Sequence, residues 1–81
     1  MPKEEKRSKS IASKAAKLRA IALSENNTFS ERMRAIDLLG EIGEDAYDEI
    51  AEVAANGLTY GERMNALDLL EKIVRKTNQT R

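Results

Sequence analysis

Apolar side chains recur every three or four positions through most of the chain, the spacing that places them on one face of an α-helix. Turn-prone residues interrupt this pattern at positions 25–27, at Gly43 and at Gly57. Aromatic residues are few and the single proline lies at position 2, which also favours helices. The pattern therefore predicts an all-α protein with four helices, over about residues 10–23, 28–42, 45–56 and 60–76.

Each predicted helix has an apolar face that is expected to enter the core. In the first helix this face consists of Ile11, Ala15, Leu18 and Ala22, widened by Ala12, Ile21 and Leu23. In the second helix it consists of Met33, Ala35, Ile36, Leu38, Leu39 and Ile42. In the last two it consists of Tyr47, Ile50, Ala51, Val53 and Ala54, and of Met64, Ala66, Leu67, Leu69, Leu70, Ile73 and Val74. The outer face of the third helix is expected to be polar and to contain Asp45, Asp48, Glu49, Glu52 and Asn56.

Two helix starts have the same Thr-x-x-Glu sequence, at Thr28 with Glu31 and at Thr59 with Glu62. In a capping box, the Thr hydroxyl accepts from the Glu amide, and the Glu carboxylate accepts from the Thr amide. We therefore expect a capping box at the start of both the second and the fourth helix.

Glycines and one aspartate mark the remaining helix ends. Gly43 is placed to end the second helix in a left-handed conformation, and Gly57 to end the third. Asp45 is expected to be the N-cap of the third helix.

Much of this pattern occurs twice. Residues 28–42 read TFSERMRAIDLLGEI and residues 59–73 read TYGERMNALDLLEKI, and nine of the fifteen paired positions are identical. An offset of 32 also aligns the first helix with the third, with a one-residue difference in the turn. The sequence therefore predicts a duplicated pair of helices, in which the recurring Arg32 and Arg63 are packing or salt-bridge residues between the two units.

The stretch AIDLLGEIGEDAYDEIAEVA, residues 35–54, resembles the short HEAT-like repeats of about thirty residues per helical hairpin. The resemblance covers about residues 10–76, but residues 71–74 (EKIV) replace the glycines in the second copy, and the usual proline of the first helix is missing. It implies an α-solenoid, a right-handed superhelix of antiparallel helix pairs whose second helices line a concave surface. It also implies partner binding without a shared ligand or reaction.

A single domain is expected over residues 10–76, with hairpins at 10–43 and 44–76, a basic flexible segment at 1–9 and a frayed tail at 77–81. A four-helix bundle is the alternative arrangement. Solenoids normally need three or more units to bury their faces. Because two units are few and the fourth helix is apolar almost all round, we hypothesise a homodimer.

The composition argues against several functions. The chain of 81 residues contains no Cys and no His, and its carboxylates lie on predicted outer faces without metal-ligand or catalytic spacing. We expect no enzyme activity, no metal and no cofactor. No signal peptide or membrane-spanning stretch is recognised, so a cytoplasmic location without membrane contact is expected.

Charge is unevenly distributed. Basic and acidic residues number seven and two in 1–19, three and twelve in 20–71, and four and none in 72–81. A non-catalytic protein-interaction or assembly module is the favoured function, with a protein partner contacting Arg34, Asp37, Glu41, Asn65, Asp68 and Lys72, or the acidic Asp48, Glu49 and Glu52. For the first set, a solvated helix face with pairs three and four residues apart is the simpler interpretation. For the acidic set, it is an intramolecular ladder of ion pairs with Lys14 and Lys17.

Nucleic-acid binding is the second functional hypothesis. It would use the basic N-terminus or a helix-turn-helix-like segment over residues 50–70. The candidate contacts are Lys3, Lys6, Arg7, Lys9 and Arg63. Glu62 and Asp68 on the supposed recognition helix would repel phosphates, which counts against this reading.

Overall fold

The computed structural model describes residues 8–79, with the side chain of Gln79 left out of the description. It contains α1 (Lys9–Leu23), α2 (Phe29–Ile42), a 3-10 helix (Gly43–Ala46), α3 (Tyr47–Asn56) and α4 (Tyr60–Gln79). Within this part of the chain no residue is in a strand. The predicted all-α class is confirmed.

The outer ends of the helical region lie slightly beyond the predicted limits. The Ser8 hydroxyl accepts from the Ile11 amide at 3.1 Å, so α1 begins at Lys9. Helix α4 continues to Gln79, which means that three residues of the tail expected to fray are helical. The rest of the two terminal segments, residues 1–7 and 80–81, lies outside the described residues.

The junction between α2 and α3 differs from the prediction. Gly43 has φ 80° and ψ −136° and donates its amide to the Leu39 carbonyl. It therefore ends α2 with a positive φ but outside the left-handed helical region. The chain continues directly into the 3-10 helix, which contains Asp45, and α3 begins after Ala46 without a side-chain cap. The prediction that Asp45 is the N-cap of α3 was wrong, because Asp45 lies within the 3-10 helix that precedes α3.

Gly57 ends α3 in an extended conformation, with φ −55° and ψ 149°. A glycine is needed there for space, because a Cβ at this position would lie 2.8 Å from the Val53 carbonyl oxygen and 3.1 Å from Arg63 Cγ. The connection before α4 has three residues and that before α2 has five, so the turns differ by two residues where the sequence alignment indicated one.

Each helix packs most extensively against its neighbour in the chain, α1 against α2 and α3 against α4. Smaller contacts join α1 to α3 and α2 to α4. The core between them is built from the buried side chains Ala15, Ala22, Ala35, Ile36, Leu39, Ala46, Ile50, Val53 and Ala66. All of these except Ala46 belong to the predicted apolar faces.

Several positions at the borders of the apolar faces were assigned wrongly. Large side chains predicted to be internal are exposed at Ile21, Leu38, Tyr47, Met64, Leu67 and Val74. Glu49, predicted to lie on the outer face of α3, is only 8% exposed. These positions flank the core, where the neighbouring helix decides which side is covered.

Candidate functional site

An ion pair between Arg32 on α2 and Glu62 on α4 joins the two copies of the repeated sequence. Arg32 Nε donates to Glu62 Oε1 at 2.8 Å, and an Nη donates to Oε2 at 3.1 Å. The Glu62 side chain is fully buried and that of Arg32 is 11% exposed. A two-bond contact of this kind fixes orientation as well as distance. Of the two recurring arginines predicted to join the copies, Arg32 forms this salt bridge, whereas Arg63 donates to the Gly57 carbonyl in the loop before its own helix.

The loops before both helices are tied to the same arginine positions. Arg32 donates to the Asn27 carbonyl, and Arg63 donates to the Gly57 carbonyl at 2.8 Å. Each guanidinium is thereby held against the loop that precedes its own helix. The Thr59 hydroxyl completes the buried pair by donating to Glu62 Oε2 at 2.7 Å.

The ion pair is stable in its charged form. The hydrogen bond from Arg32 holds the pKa of the Glu62 carboxyl below its ordinary value, while burial acts in the opposite direction. The same hydrogen bond raises the pKa of Arg32. Neither group is suited to exchange a proton near neutral pH. The arrangement can hold two helices together and offers no acid–base chemistry.

Of the two hydrogen bonds predicted for the capping box at Thr59, only one is formed. At Thr28 both bonds form, since the Thr28 amide donates to Glu31 Oε1 at 2.7 Å and the Glu31 amide donates to the Thr28 hydroxyl. At the start of α4 the Glu62 amide donates to the Thr59 hydroxyl, but the Glu62 carboxylate is directed to Arg32 and to that hydroxyl. The same Glu is therefore a cap in the first copy and an ion-pair partner in the second.

Equivalent residues of the two copies differ in burial according to which neighbour they have. Ile36 is fully buried, whereas its counterpart Leu67 is 48% exposed. Leu38 is 39% exposed, whereas its counterpart Leu69 packs against the core. One side of α2 is covered by α4, and within residues 8–79 no element covers the same side of α4.

These differences define two opposite edges. Helix α4 turns one side towards α2. We call the equivalent side of α2, together with the adjoining side of α1, the leading edge. It contains Lys14, Lys17, Ile21, Glu31, Arg34 and Leu38, which line two adjoining grooves. The trailing edge lies on the other side of the molecule. It contains Asp48 in a groove between α3 and α4, and the α4 residues Arg63, Met64, Leu67, Asp68 and Glu71 that correspond to the covered side of α2.

The recurring polar positions predicted to contact a partner are mostly on the surface. The exposed members are Arg34, Asp37, Glu41, Asp68 and Lys72. Asn65 is half-buried and its amide donates to Asp37 Oδ1 at 3.4 Å, across the junction of α2 and α4. Asp37 and Asn65 are therefore in contact. Arg34 lies on the leading edge and Asp68 on the trailing edge, while Glu41 and Lys72 line a groove between α2 and α4.

The acidic candidates of α3 are not equivalent to one another. Asp48 is exposed on the trailing edge, while Glu52 is paired with Arg19 of α1 at 2.8 Å. Glu49 is buried, so it is not a surface residue as predicted. Lys14 and Lys17, expected to pair with these acids, instead lie in a groove beside α2, because they occupy the opposite side of α1.

The basic candidates are dispersed. Lys9 is exposed in the first turn of α1, and Arg63 is half-buried with one guanidinium nitrogen on the Gly57 carbonyl. Lys3, Lys6 and Arg7 lie outside the described residues. In the segment over residues 50–70, Tyr60 is 71% exposed, whereas Glu62, on the same helix, is directed inward to Arg32.

Residues 8–79 contain no group of three or more acidic residues placed to hold a metal ion. None of the described helices combines the length and the apolar character needed to cross a membrane. Comparison of the chain with family models, with curated proteins and with solved structures finds no match.

Proposed function

We propose that this chain is a non-catalytic protein-interaction or assembly module, built as two HEAT-like helix pairs stacked side by side. The observation that carries the proposal is the unequal burial of equivalent residues, above all Ile36 and Leu67. A side chain that is core in one copy and exposed in the next marks a stacking surface without its partner. Large apolar side chains in contiguous exposed patches are typical of protein-binding sites.

The helix contacts support a solenoid over the alternative bundle. In stacked helix pairs, each helix lies against its own partner and beside its counterpart in the next pair. Contacts of these two kinds join α1 to α2, α3 to α4, α1 to α3 and α2 to α4. Helix α2 also contacts α3, whereas α1 and α4, which would be neighbours in a simple up-and-down bundle, do not touch within residues 8–79. The Arg32–Glu62 bond is a contact between counterpart helices.

The trailing edge exposes large apolar side chains along α4, and these include Val74, which lines the same groove as Asp48. Met64, Leu67 and Val74 are all at least 39% exposed along α4. Full burial of a leucine-sized side chain contributes about 1.5–3 kcal/mol, so covering the rest of three such residues would contribute on the order of 3 kcal/mol. The surrounding acids would restrict which partners can approach.

A photo-reactive amino acid at position 67 tests the proposal. Position 76 is the matched control, because Lys76 is exposed on the same helix in a groove beside Gly43. In cells of the source organism we expect a discrete protein adduct at 67 that excess unlabelled chain suppresses. Equal labelling from both positions, or no protein adduct from 67, would refute an interaction surface on this edge.

A further inference from the structure

We infer that the partner at the trailing edge is the leading edge of a second copy of this chain, so that copies stack head to tail. This inference rests on the proposed function and names the partner. We call the contact between α2 and α4 the internal joint. The inference follows because the residue types that meet in the internal joint occur again on the leading and trailing edges.

The two edges carry the same two residue types that form the ion pair of the internal joint. Inside the molecule Arg32 on the first copy meets Glu62 on the second. At the ends the same residues recur as Arg63 on the trailing edge and Glu31 on the leading edge. Arg63 also donates to a backbone carbonyl of the loop before its own helix, as Arg32 does.

A second polar contact would become stronger between copies. The internal joint places the Asn65 amide on Asp37 at 3.4 Å. The corresponding residues at the ends are Arg34 on the leading edge and Asp68 on the trailing edge, both exposed. An amide–carboxylate contact inside the molecule, in which only the acceptor is charged, is thus replaced between copies by an ion pair in which both partners are charged.

The apolar parts of the two edges also correspond. Within the molecule Ile36 is buried and Leu69 packs against the core. Their counterparts are Leu67 on the trailing edge and Leu38 on the leading edge, both exposed in the single chain. Docking would cover both.

One position prevents a perfect copy of the internal joint. A Cβ on Gly40 would lie only 2.7 Å from Leu69 Cδ2, and the counterpart of Gly40 on the trailing edge is Glu71. The joint between copies must therefore be wider here. Glu71 would approach Leu38, whose groove also contains Lys14 and Lys17, so opposite charges meet at the point of difference.

The geometry of this contact determines the form of the assembly. A trailing edge that binds a leading edge makes a heterologous interface, and the pair still has one free edge of each kind. Association would continue with concentration into an open series of oligomers. The homodimer expected from the sequence would be its first member.

Charge reversal at exposed positions provides the test. The variants are Arg34→Asp and Asp68→Arg, with Lys76→Asp as the control away from both edges. Sedimentation velocity from about 10 µM to about 1 mM should show concentration-dependent growth for the wild type and the control. Each edge variant alone should associate at least about tenfold more weakly, because like charges then face each other. Circular dichroism should show unchanged helix content.

The equimolar mixture of the two edge variants is the decisive arm. In the mixture, Asp at position 34 of one variant meets Arg at position 68 of the other, so opposite charges face each other again. Association should therefore return to the wild-type range. A wild type that stays monomeric overturns the inference, as does association unaffected by the reversals or not restored on mixing. If the wild type is monomeric but position 67 captures another protein, only the self-stacking is refuted; if 67 captures nothing, the proposed function fails as well.

Discussion

Replacing Glu62 by Gln should destabilise the fold far more than the same change at Glu31, although both occupy the third position of a Thr-x-x-Glu helix start. Glu62 is fully buried and accepts two hydrogen bonds from Arg32 and one from Thr59. Glu31 is exposed and accepts from the Thr28 amide. The comparison isolates what the neighbouring unit adds to an otherwise equivalent residue.

The expected difference can be worked from these contacts. Removing one partner of a buried ion pair costs about 3–5 kcal/mol. The Gln amide oxygen can still accept one hydrogen bond from Arg32, so the loss at 62 should be near the lower end, about 3 kcal/mol. At 31 the amide oxygen can still cap the helix, and the loss should be below about 1 kcal/mol.

Urea unfolding followed by circular dichroism measures both changes, provided that unfolding is two-state. The two midpoints should differ clearly while the slopes remain equal. Similar losses for the two variants would refute the role of Arg32–Glu62 as the joint between the copies.

The pH dependence of the unfolding free energy is a second test of the Arg32–Glu62 ion pair. Because the folded-state pKa of Glu62 is lowered, its contribution is fully present above the unfolded-state pKa of about 4.3. That contribution is lost as the pH falls through the lower folded-state value. The wild type should therefore lose stability below about pH 4.3 more steeply than Glu62→Gln. Parallel stability profiles of the two proteins would argue against a charged pair.

Three further outcomes are expected. Gly40→Ala should cost about 1–3 kcal/mol in thermal or urea unfolding, because its Cβ would collide with Leu69, whereas Gly61→Ala, with open space around it, should stabilise by a few tenths of a kcal/mol. Gly43→Ala should cost about 1–3 kcal/mol in the same assay, because residues with a side chain rarely adopt φ 80° with ψ −136°, despite free space for the methyl group. Fluorescence anisotropy at about 50 mM salt should detect no binding to duplex DNA; binding abolished by neutralising the basic N-terminus would favour the nucleic-acid hypothesis.

Local interactions were the predictable part of the fold. The all-α class follows from the apolar spacing, and the capping box at Thr28 follows from residues three positions apart. Glycine at 43 and 57 also ends α2 and α3 as the sequence indicates, although neither adopts the left-handed conformation. These features depend on the adjacent chain, which the sequence displays directly.

The features that were missed depend on partners distant in the sequence. Glu62 differs from Glu31 because an arginine thirty residues earlier reaches it. Glu49 is buried and Leu67 is exposed because α3 and α4 are covered by α1 and α2 on one side, while no described element covers the other side. Periodicity identifies a helical face but does not say how far a neighbour covers its borders. The recurrence of Arg32 and Arg63 did indicate a salt-bridge residue between the copies, but it did not identify Glu62 as the partner.

Disulfide trapping tests the central claim, that the molecule's two edges repeat its internal joint, most directly. The chain has no cysteine, so a Leu38→Cys, Glu71→Cys double variant carries a single thiol on each edge. These positions correspond to the close internal contact between Leu69 and Gly40. Mild oxidation should give a ladder of dimers, trimers and larger species on a non-reducing gel, and a mixture of the two single variants should stop at the dimer. Failure of the double variant to form a ladder, or equal cross-linking by either single variant alone, would contradict the account.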